Sequence, residues 1–327
     1  MNRYLAHCIE SVEKWESTAT FSFILMETIL EAIGNTPLVC LKRSVPAGSA
    51  NIFAKLEKFN PGGSLKDRIV LRIIEQAEQS GKLSPGGTIV AGTTGNSGIG
   101  LATISNVKKY KVVLTMPENF SLERRRILEA YGVELHLTPA AEGMKGAIQR
   151  AKKIAKQRKA FLFAQFENAE TAQAHELTTA CEIENELSTL PIIDAFVAGV
   201  GTGGSITGIG RVLKKKGTRI IAVEPSASPL LSQGRAGPHK IQGIGPGFIP
   251  STLEKNLIDE IITVSDEEAF QGSREIAEKE GILAGISSGA AFVASKQVAK
   301  KLGSGKNVVT LFPDGGERYF SMEKYFK

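Results

Sequence analysis

The residue with the most chemical promise is Lys66, in Asn60-Pro61-Gly62-Gly63-Ser64-Leu65-Lys66-Asp67-Arg68. Asn-Pro and Gly-Gly are turn chemistry and leave the chain without bulk just ahead of Ser64 and Lys66. From Asp67 the spacing of Ile69, Val70, Ile73, Ile74 and Ala77 predicts a helix, with Gly81 as its C-terminal stop. Lys66 then stands at a helix start, where the positive end of the dipole disfavours an ammonium and favours a neutral, nucleophilic amine. Such an amine can trap a carbonyl, although an ordinary solvated lysine fits this stretch equally well.

Three loops narrow the choice. Thr93-Thr94-Gly95-Asn96-Ser97-Gly98 follows a strand and opens a helix. Hydroxyls, an amide and backbone N–H groups there suit a carboxylate or phosphate, where simple N-capping needs a single such residue. Gly199-Val200-Gly201-Thr202-Gly203-Gly204-Ser205 is a second strand-to-helix cradle of the same kind. Its glycines also satisfy G-x-G-x-x-G, with Glu224 ending a strand about twenty residues on, so a nicotinamide-dependent dehydrogenase is a rival reading. That rival leaves Lys66 and the Asn96 loop without a purpose. Gly285-Ile286-Ser287-Ser288-Gly289 is a third turn into a helix, for which capping by Ser287 or Ser288 is a sufficient account. Together they point to a phosphorylated cofactor that carries a carbonyl.

The elements that must position these loops alternate along the chain. Strands are expected at Asn51–Leu56, Thr88–Ala91, Lys111–Met116, Val133–Leu137, Ile193–Val200, Arg219–Val223 and Asn307–Phe312, with an extended stretch over Ala160–Phe166. Helices are expected at Ser97–Lys109, Leu122–Tyr131, Met144–Gln157, from Ser205, at Asp266–Lys279 and at Gly289–Leu302. Strands separated by helices mean parallel βαβ units: an α/β protein of two lobes, with ligand loops at strand C-termini. Residues 1–25 carry the single tryptophan, Trp15, and no pattern leading into the fold, so they are expected to be a disordered extension.

Composition excludes several classes. Lys plus Arg exceed Asp plus Glu, 40 to 34, but the excess is scattered over exposed helix faces, which argues against nucleic acid. Cys8, Cys40 and Cys181 are too far apart for a disulfide framework or a zinc site and fit a reducing, cytoplasmic setting. No apolar run is long enough to span a membrane, and no secretory signal pattern is present. His136 is expected in a strand and in the core, and His175 and His239 as structural hydrogen-bonding groups.

Five stretches resemble cysteine synthase (O-acetylserine sulfhydrylase), of the fold-type-II, tryptophan synthase β-like family of pyridoxal phosphate enzymes. They are the Lys66 turn, the Thr-Thr-Gly-Asn-Ser-Gly loop, Gly201–Ser205, Pro238-His239-Lys240-Ile241-Gln242-Gly243-Ile244-Gly245, and Gly285–Gly289. The resemblance runs from about Ile29 to Tyr319. It implies that Lys66 holds pyridoxal phosphate as a Schiff base, Asn96 hydrogen-bonds the ring hydroxyl, and Ser287 faces the ring nitrogen. It implies further that Gly201, Thr202, Gly203, Gly204 and Ser205 hold the phosphate. Thr93, Thr94, Gly95, Ser97 and Gln165 are implied to bind the substrate carboxylate, with Gly243 lining the pocket.

The implied reaction converts O-acetyl-L-serine and sulfide to L-cysteine and acetate. A small mobile lobe, 63–165, is expected to close on a large lobe built from 26–62 and 166–327. The resemblance also implies a homodimer and a possible complex with the C-terminal peptide of serine acetyltransferase. Departures from the family pattern are Ala91-Gly92 for a Glu-Pro-type pair, Thr94, Ser97, Pro246, and Ala180-Cys181 for Gly-Pro. They bear on substrate preference more than on cofactor use. Relatives with the same cofactor set are cystathionine β-synthase-like enzymes, cyanoalanine synthase and sulfide-releasing cysteine lyase. A non-catalytic sensor is a further alternative, disfavoured by the presence of Lys66, Asn96 and Ser287.

Overall fold

The computed structural model describes residues 25–322 apart from 94, 120–121 and 190–191. The expected extension at 1–25 therefore falls outside the described residues, Leu25 excepted, as does Thr94 of the Asn96 loop. Among the described residues, ten strands form two sheets. The larger has the order β1-β2-β10-β7-β8-β9. Its strands are β1 (Leu38–Leu41), β2 (Asn51–Leu56), β7 (Ala195–Gly199), β8 (Arg219–Pro225), β9 (Glu260–Val264) and β10 (Asn307–Phe312). All its neighbours run parallel except β1, which lies antiparallel on β2. The smaller sheet, β5-β4-β3-β6, is wholly parallel and comprises β3 (Thr88–Gly92), β4 (Lys111–Pro117), β5 (Glu134–Thr138) and β6 (Phe161–Leu162).

Parallel strands are covered by helices on both faces, so they read as unbroken apolar runs. Strand β10 shows the result, with all six residues of Asn-Val-Val-Thr-Leu-Phe buried between β2 and β7. The longer helices are α1 (Lys66–Gln79), α2 (Asn96–Lys108), α3 (Leu122–Ala130), α4 (Gly143–Arg158), α5 (Glu170–Leu177), α6 (Thr179–Glu186), α7 (Gly204–Leu213), α8 (Asp266–Glu280) and α9 (Ile286–Leu302). One core packs Ile52, Val197, Ile221, Phe292 and Phe312 around the larger sheet. A second packs Ile69, Ile73, Ile89, Leu101, Leu114 and Leu128 around the smaller one.

Helix α1 buries the predicted face, Ile69, Val70, Ile73, Ile74 and Ala77, and Gly81 follows it with a φ of +67°. It is pinned by buried charge. Arg68 pairs with Glu57 at 2.7 Å and with Glu182 of α6 at 2.5 Å, and fully buried Lys55 reaches Glu182 at 3.0 Å and Glu186 at 2.9 Å. Burial pushes the Glu182 carboxyl up, but Arg68 and Lys55 outweigh it and hold the group at about 2. Lys66 thus starts a helix whose first turn cannot slide.

Three expectations need correction. Of the stretch expected to be extended over 160–166, only Phe161–Leu162 pairs as a strand. His136 does lie in β5, but that strand is at the sheet edge, and the half-exposed imidazole pairs with Glu134 at 2.7 Å rather than packing in the core. The serine turn needs no capping role for Ser287 or Ser288, because α9 begins at Ile286 with no side-chain cap.

Candidate active site

The Lys66 turn is stitched to the end of β10. The Gly63 N–H donates to the Asn60 carbonyl at 2.7 Å, Gly63 adopts a φ of +72°, and the Leu65 N–H donates to the Pro313 carbonyl at 3.0 Å. Ser64 forms a β-bridge with Asp314. A Cβ at Gly63 would lie 2.2 Å from Arg318 Nη2, and the left-handed backbone there favours glycine in any case. Lys66 is surrounded by protein while its amine faces a cavity. Burial pushes that amine down to about 8, with Asp314 pulling the other way. Desolvation therefore leaves a fraction of the amine neutral, and available as a nucleophile, at neutral pH.

The Asn96 loop extends from the C-terminal end of β3. Asn96 opens α2, donates from Nδ2 to Asp314 Oδ2 at 2.6 Å and accepts at Oδ1 from Arg318 Nη1 at 2.7 Å. Both contacts fix its amide plane and leave a second N–H for a ligand. Thr93 accepts the Gly95 N–H at 3.1 Å, and Ser97 donates to Gln165 Oε1 at 2.5 Å. Gly95 has a φ of +138°, and a Cβ there would lie 2.1 Å from Arg124 Cδ.

The second cradle lies at the end of β7 and opens α7. Among the described residues, the backbone N–H groups of Gly201, Thr202, Gly203 and Ser205 pair with no acceptor. A helix N-terminus with several free N–H groups is an anion site. A Cβ on Gly201 would lie 2.2 Å from the Gly243 carbonyl oxygen, so the two loops touch backbone to backbone. Gly203 and Gly204 are packed behind the wall, against Leu253 and Thr171.

One cavity draws these parts together: Lys66, Asn96, Gly201, Thr202, Ser205, Gly243 and Ser287 line its inner end. It continues into a cleft of about 570 Å³ walled by Lys66, Asn96, Ser97, Gln165 and Gly243, with Arg124 and Gln242 at its side. A separate apolar cavity of about 220 Å³, lined by Phe163, Phe166 and Phe248, meets the cleft at Gln165 but contains none of the reactive groups. Of the departures from the family pattern, Pro246 lines the cleft and Gly92 the apolar cavity, while Cys181 is exposed on α6. His175 bonds Thr179 at 2.9 Å and His239 bonds the Gly245 carbonyl at 2.8 Å, both as structural groups.

Sequence reasoning gave no role to Asp314, Tyr319, Arg318 or Arg124. Asp314 Oδ2 accepts from both Asn96 and Tyr319, the latter at 2.7 Å. Burial and the Asp314 charge hold the Tyr319 phenol proton in place, so it remains a donor. One signal was available: Pro313-Asp314-Gly315-Gly316 directly follows a strand, where ligand loops are expected. Among the described residues, no cluster of His, Cys, Asp or Glu could hold a metal ion, and no helix is long and apolar enough to cross a membrane.

Known proteins share this sequence pattern and fold. Residues 29–314 match the family described as pyridoxal-phosphate dependent enzyme. A cysteine synthase of Staphylococcus aureus is 53% identical over 302 residues, covering 92% of this chain and 97% of the relative. The cysteine synthase structure from Entamoeba histolytica superposes with a TM-score of 0.88 at 40% identity, covering 95% of this chain and 94% of that one. An O-acetylserine dependent cystathionine β-synthase from Helicobacter pylori gives a TM-score of 0.87 at 41% identity, covering 91% and 98%. A family match over residues 29–314 and 53% identity along nine-tenths of its length show that the chain belongs to the pyridoxal-phosphate-dependent enzyme family.

Proposed function

We propose that this enzyme carries out β-replacement on O-acetyl-L-serine, exchanging acetate for sulfide to give L-cysteine. The observation that carries the reading is the convergence on one cavity of the Lys66 amine, the Asn96 amide, the Ser287 hydroxyl and the free N–H groups that begin at Gly201. That set fits pyridoxal phosphate. The N–H groups and Ser205 would take the phosphate, Lys66 the carbonyl carbon, Asn96 the ring hydroxyl and Ser287 the ring nitrogen.

Bound pyridoxal phosphate supplies an electron sink for the substrate α-carbon. The protein does the rest. Thr93, Thr94, Gly95, Ser97 and Gln165 would seat the substrate carboxylate on the α2 N-terminus, with the Ser97–Gln165 bond holding both side chains in place. Lys66 Nζ, which burial brings down to about 8 and so leaves partly neutral near that pH, would take the α-proton as the Cβ–O bond breaks and acetate leaves with the electron pair. Sulfide would then bond to Cβ, and Lys66 Nζ would return the proton to Cα. A neutral serine at the ring nitrogen would leave that nitrogen unprotonated, which suits loss of a β-substituent over transamination.

One second reading, a larger thiol acceptor, is favoured by the similarity to an O-acetylserine dependent cystathionine β-synthase. Product analysis with O-acetylserine and, in turn, sulfide, homocysteine and cyanide separates the two. Cysteine formed at the highest kcat/KM supports the proposal, and preference for another acceptor overturns it. The proposed assembly is a cytoplasmic homodimer in which a small lobe, 63–165, moves on a large lobe formed by 26–62 and 166–327. A serine acetyltransferase C-terminal carboxylate is a further proposed occupant of the α2 N-terminus.

A further inference from the structure

Arg124 joins parts of the molecule that the chain keeps far apart. It belongs to α3, which packs with the four-stranded sheet, yet its guanidinium reaches Gln242, Tyr319 and Asp314 beyond that unit. Nη1 donates to Gln242 Oε1 at 2.5 Å, Nη2 donates to the Tyr319 hydroxyl at 2.8 Å, and Nη2 stands 3.6 Å from Asp314 Oδ2. The guanidinium also lies 4.8 Å from the centre of the Tyr319 ring. Its side chain is 2% exposed. A guanidinium that deep is tolerated when its donors are met, and here Nη1 and Nη2 both donate to groups following β8 and β10 of the six-stranded sheet. Separation of the two units would break both hydrogen bonds.

The same side chain touches the site. Its Cδ lies where a Cβ of Gly95 would stand, so the Asn96 loop rests on its methylenes. Its partner Asp314 Oδ2 is also the acceptor that fixes the Asn96 amide. We propose that Arg124 is a positioning residue, the latch that fastens the four-stranded unit to the six-stranded one and sets the Asn96 loop in register for the amino-acid substrate. The inference rests on the proposed reaction for its substrate and on these contacts for its mechanism.

The test compares cofactor-loaded wild type with Arg124→Met, Arg124→Lys and Gln242→Leu. Removing a charged hydrogen-bond set should raise KM for O-acetylserine about tenfold to a hundredfold in Arg124→Met, with kcat changed far less. Violet absorption and cofactor content should stay at wild-type levels. Arg124→Lys should recover part of the loss, because an ammonium can still reach Tyr319 or Asp314. A cofactor-loaded Arg124→Met enzyme with wild-type KM overturns the latch, and so does a loss explained by released cofactor. Should Arg124→Met fail to fold, Gln242→Leu takes over: a KM rise of about threefold to tenfold is expected, and an unchanged KM overturns the proposal. If wild type itself ignores O-acetylserine, the reaction has been misassigned and proteolysis of the loaded proteins tests the latch alone. Arg124→Met should then be cut at least about tenfold faster, and equal rates overturn it.

Discussion

Gly201→Ala probes the contact on which the cofactor site depends. The new Cβ would stand 2.2 Å from the Gly243 carbonyl oxygen, about 1 Å inside ordinary contact distance. Gly201 does not need a left-handed backbone, so the penalty is purely steric. Relief requires one loop to move: the phosphate cradle ahead of α7, or the Gly243 turn that also packs near Ser287, with its own φ of +100°. Both are backbone, and neither can rotate away as a flexible side chain would. Overpacking of this kind costs about 1–3 kcal/mol, or about 5- to 150-fold in an equilibrium constant. The loss should fall on cofactor affinity, because that motion misaligns the N–H groups of residues 201–205. Titrating apo protein with pyridoxal phosphate and following violet absorption measures it, with urea denaturation of the apo forms as the control for stability. Wild-type cofactor affinity in a folded Gly201→Ala protein would refute the reasoning.

Other outcomes follow from the same geometry. Lys66→Ala should fold and lose about 10²-fold or more in turnover, read by cysteine production, since among the described residues no other amine lines the cavity's inner end. Condensation of apo protein with pyridoxal phosphate, trapped by borohydride, should speed up as pH rises toward about 8 and then level off, because burial makes the Lys66 amine neutral above that point. A rate still climbing past pH 9 would indicate an ordinary lysine. Arg68→Met leaves fully buried Glu57 without its cation and should cost about 3–5 kcal/mol in urea denaturation. A cost below about 1 kcal/mol would show that the buried network does not anchor α1.

Much of this architecture was legible because local pattern and long-range structure agree. Strands β2 and β10 begin and end at the predicted residues, being apolar runs bounded by turn or polar residues. Lys66, Asn96 and Gly201–Ser205 were legible for a related reason: each sits in a run of small and polar residues directly joined to a strand or helix. What stayed hidden has a physical cause. Strand β1 is four residues long and mostly half-buried, so it lacks a clear period. Helices α5 and α6 break at Thr178 and bury Thr171, Ala172, Ala174 and His175 instead of a run of large apolar residues. His136 looked like a core residue because the position of β5 at the sheet edge is a tertiary fact. Arg124, Asp314 and Tyr319 were missed because their meaning lies in contacts with partners distant in the chain, across 195 residues between Arg124 and Tyr319.

The most direct test of the central claim is the visible absorption spectrum of the purified protein, before and after addition of O-acetylserine. A violet band that moves to longer wavelength on O-acetylserine, and returns when sulfide is added with release of cysteine, is the predicted result. A protein that stays colourless after incubation with pyridoxal phosphate, or a violet band unmoved by O-acetylserine, would contradict it.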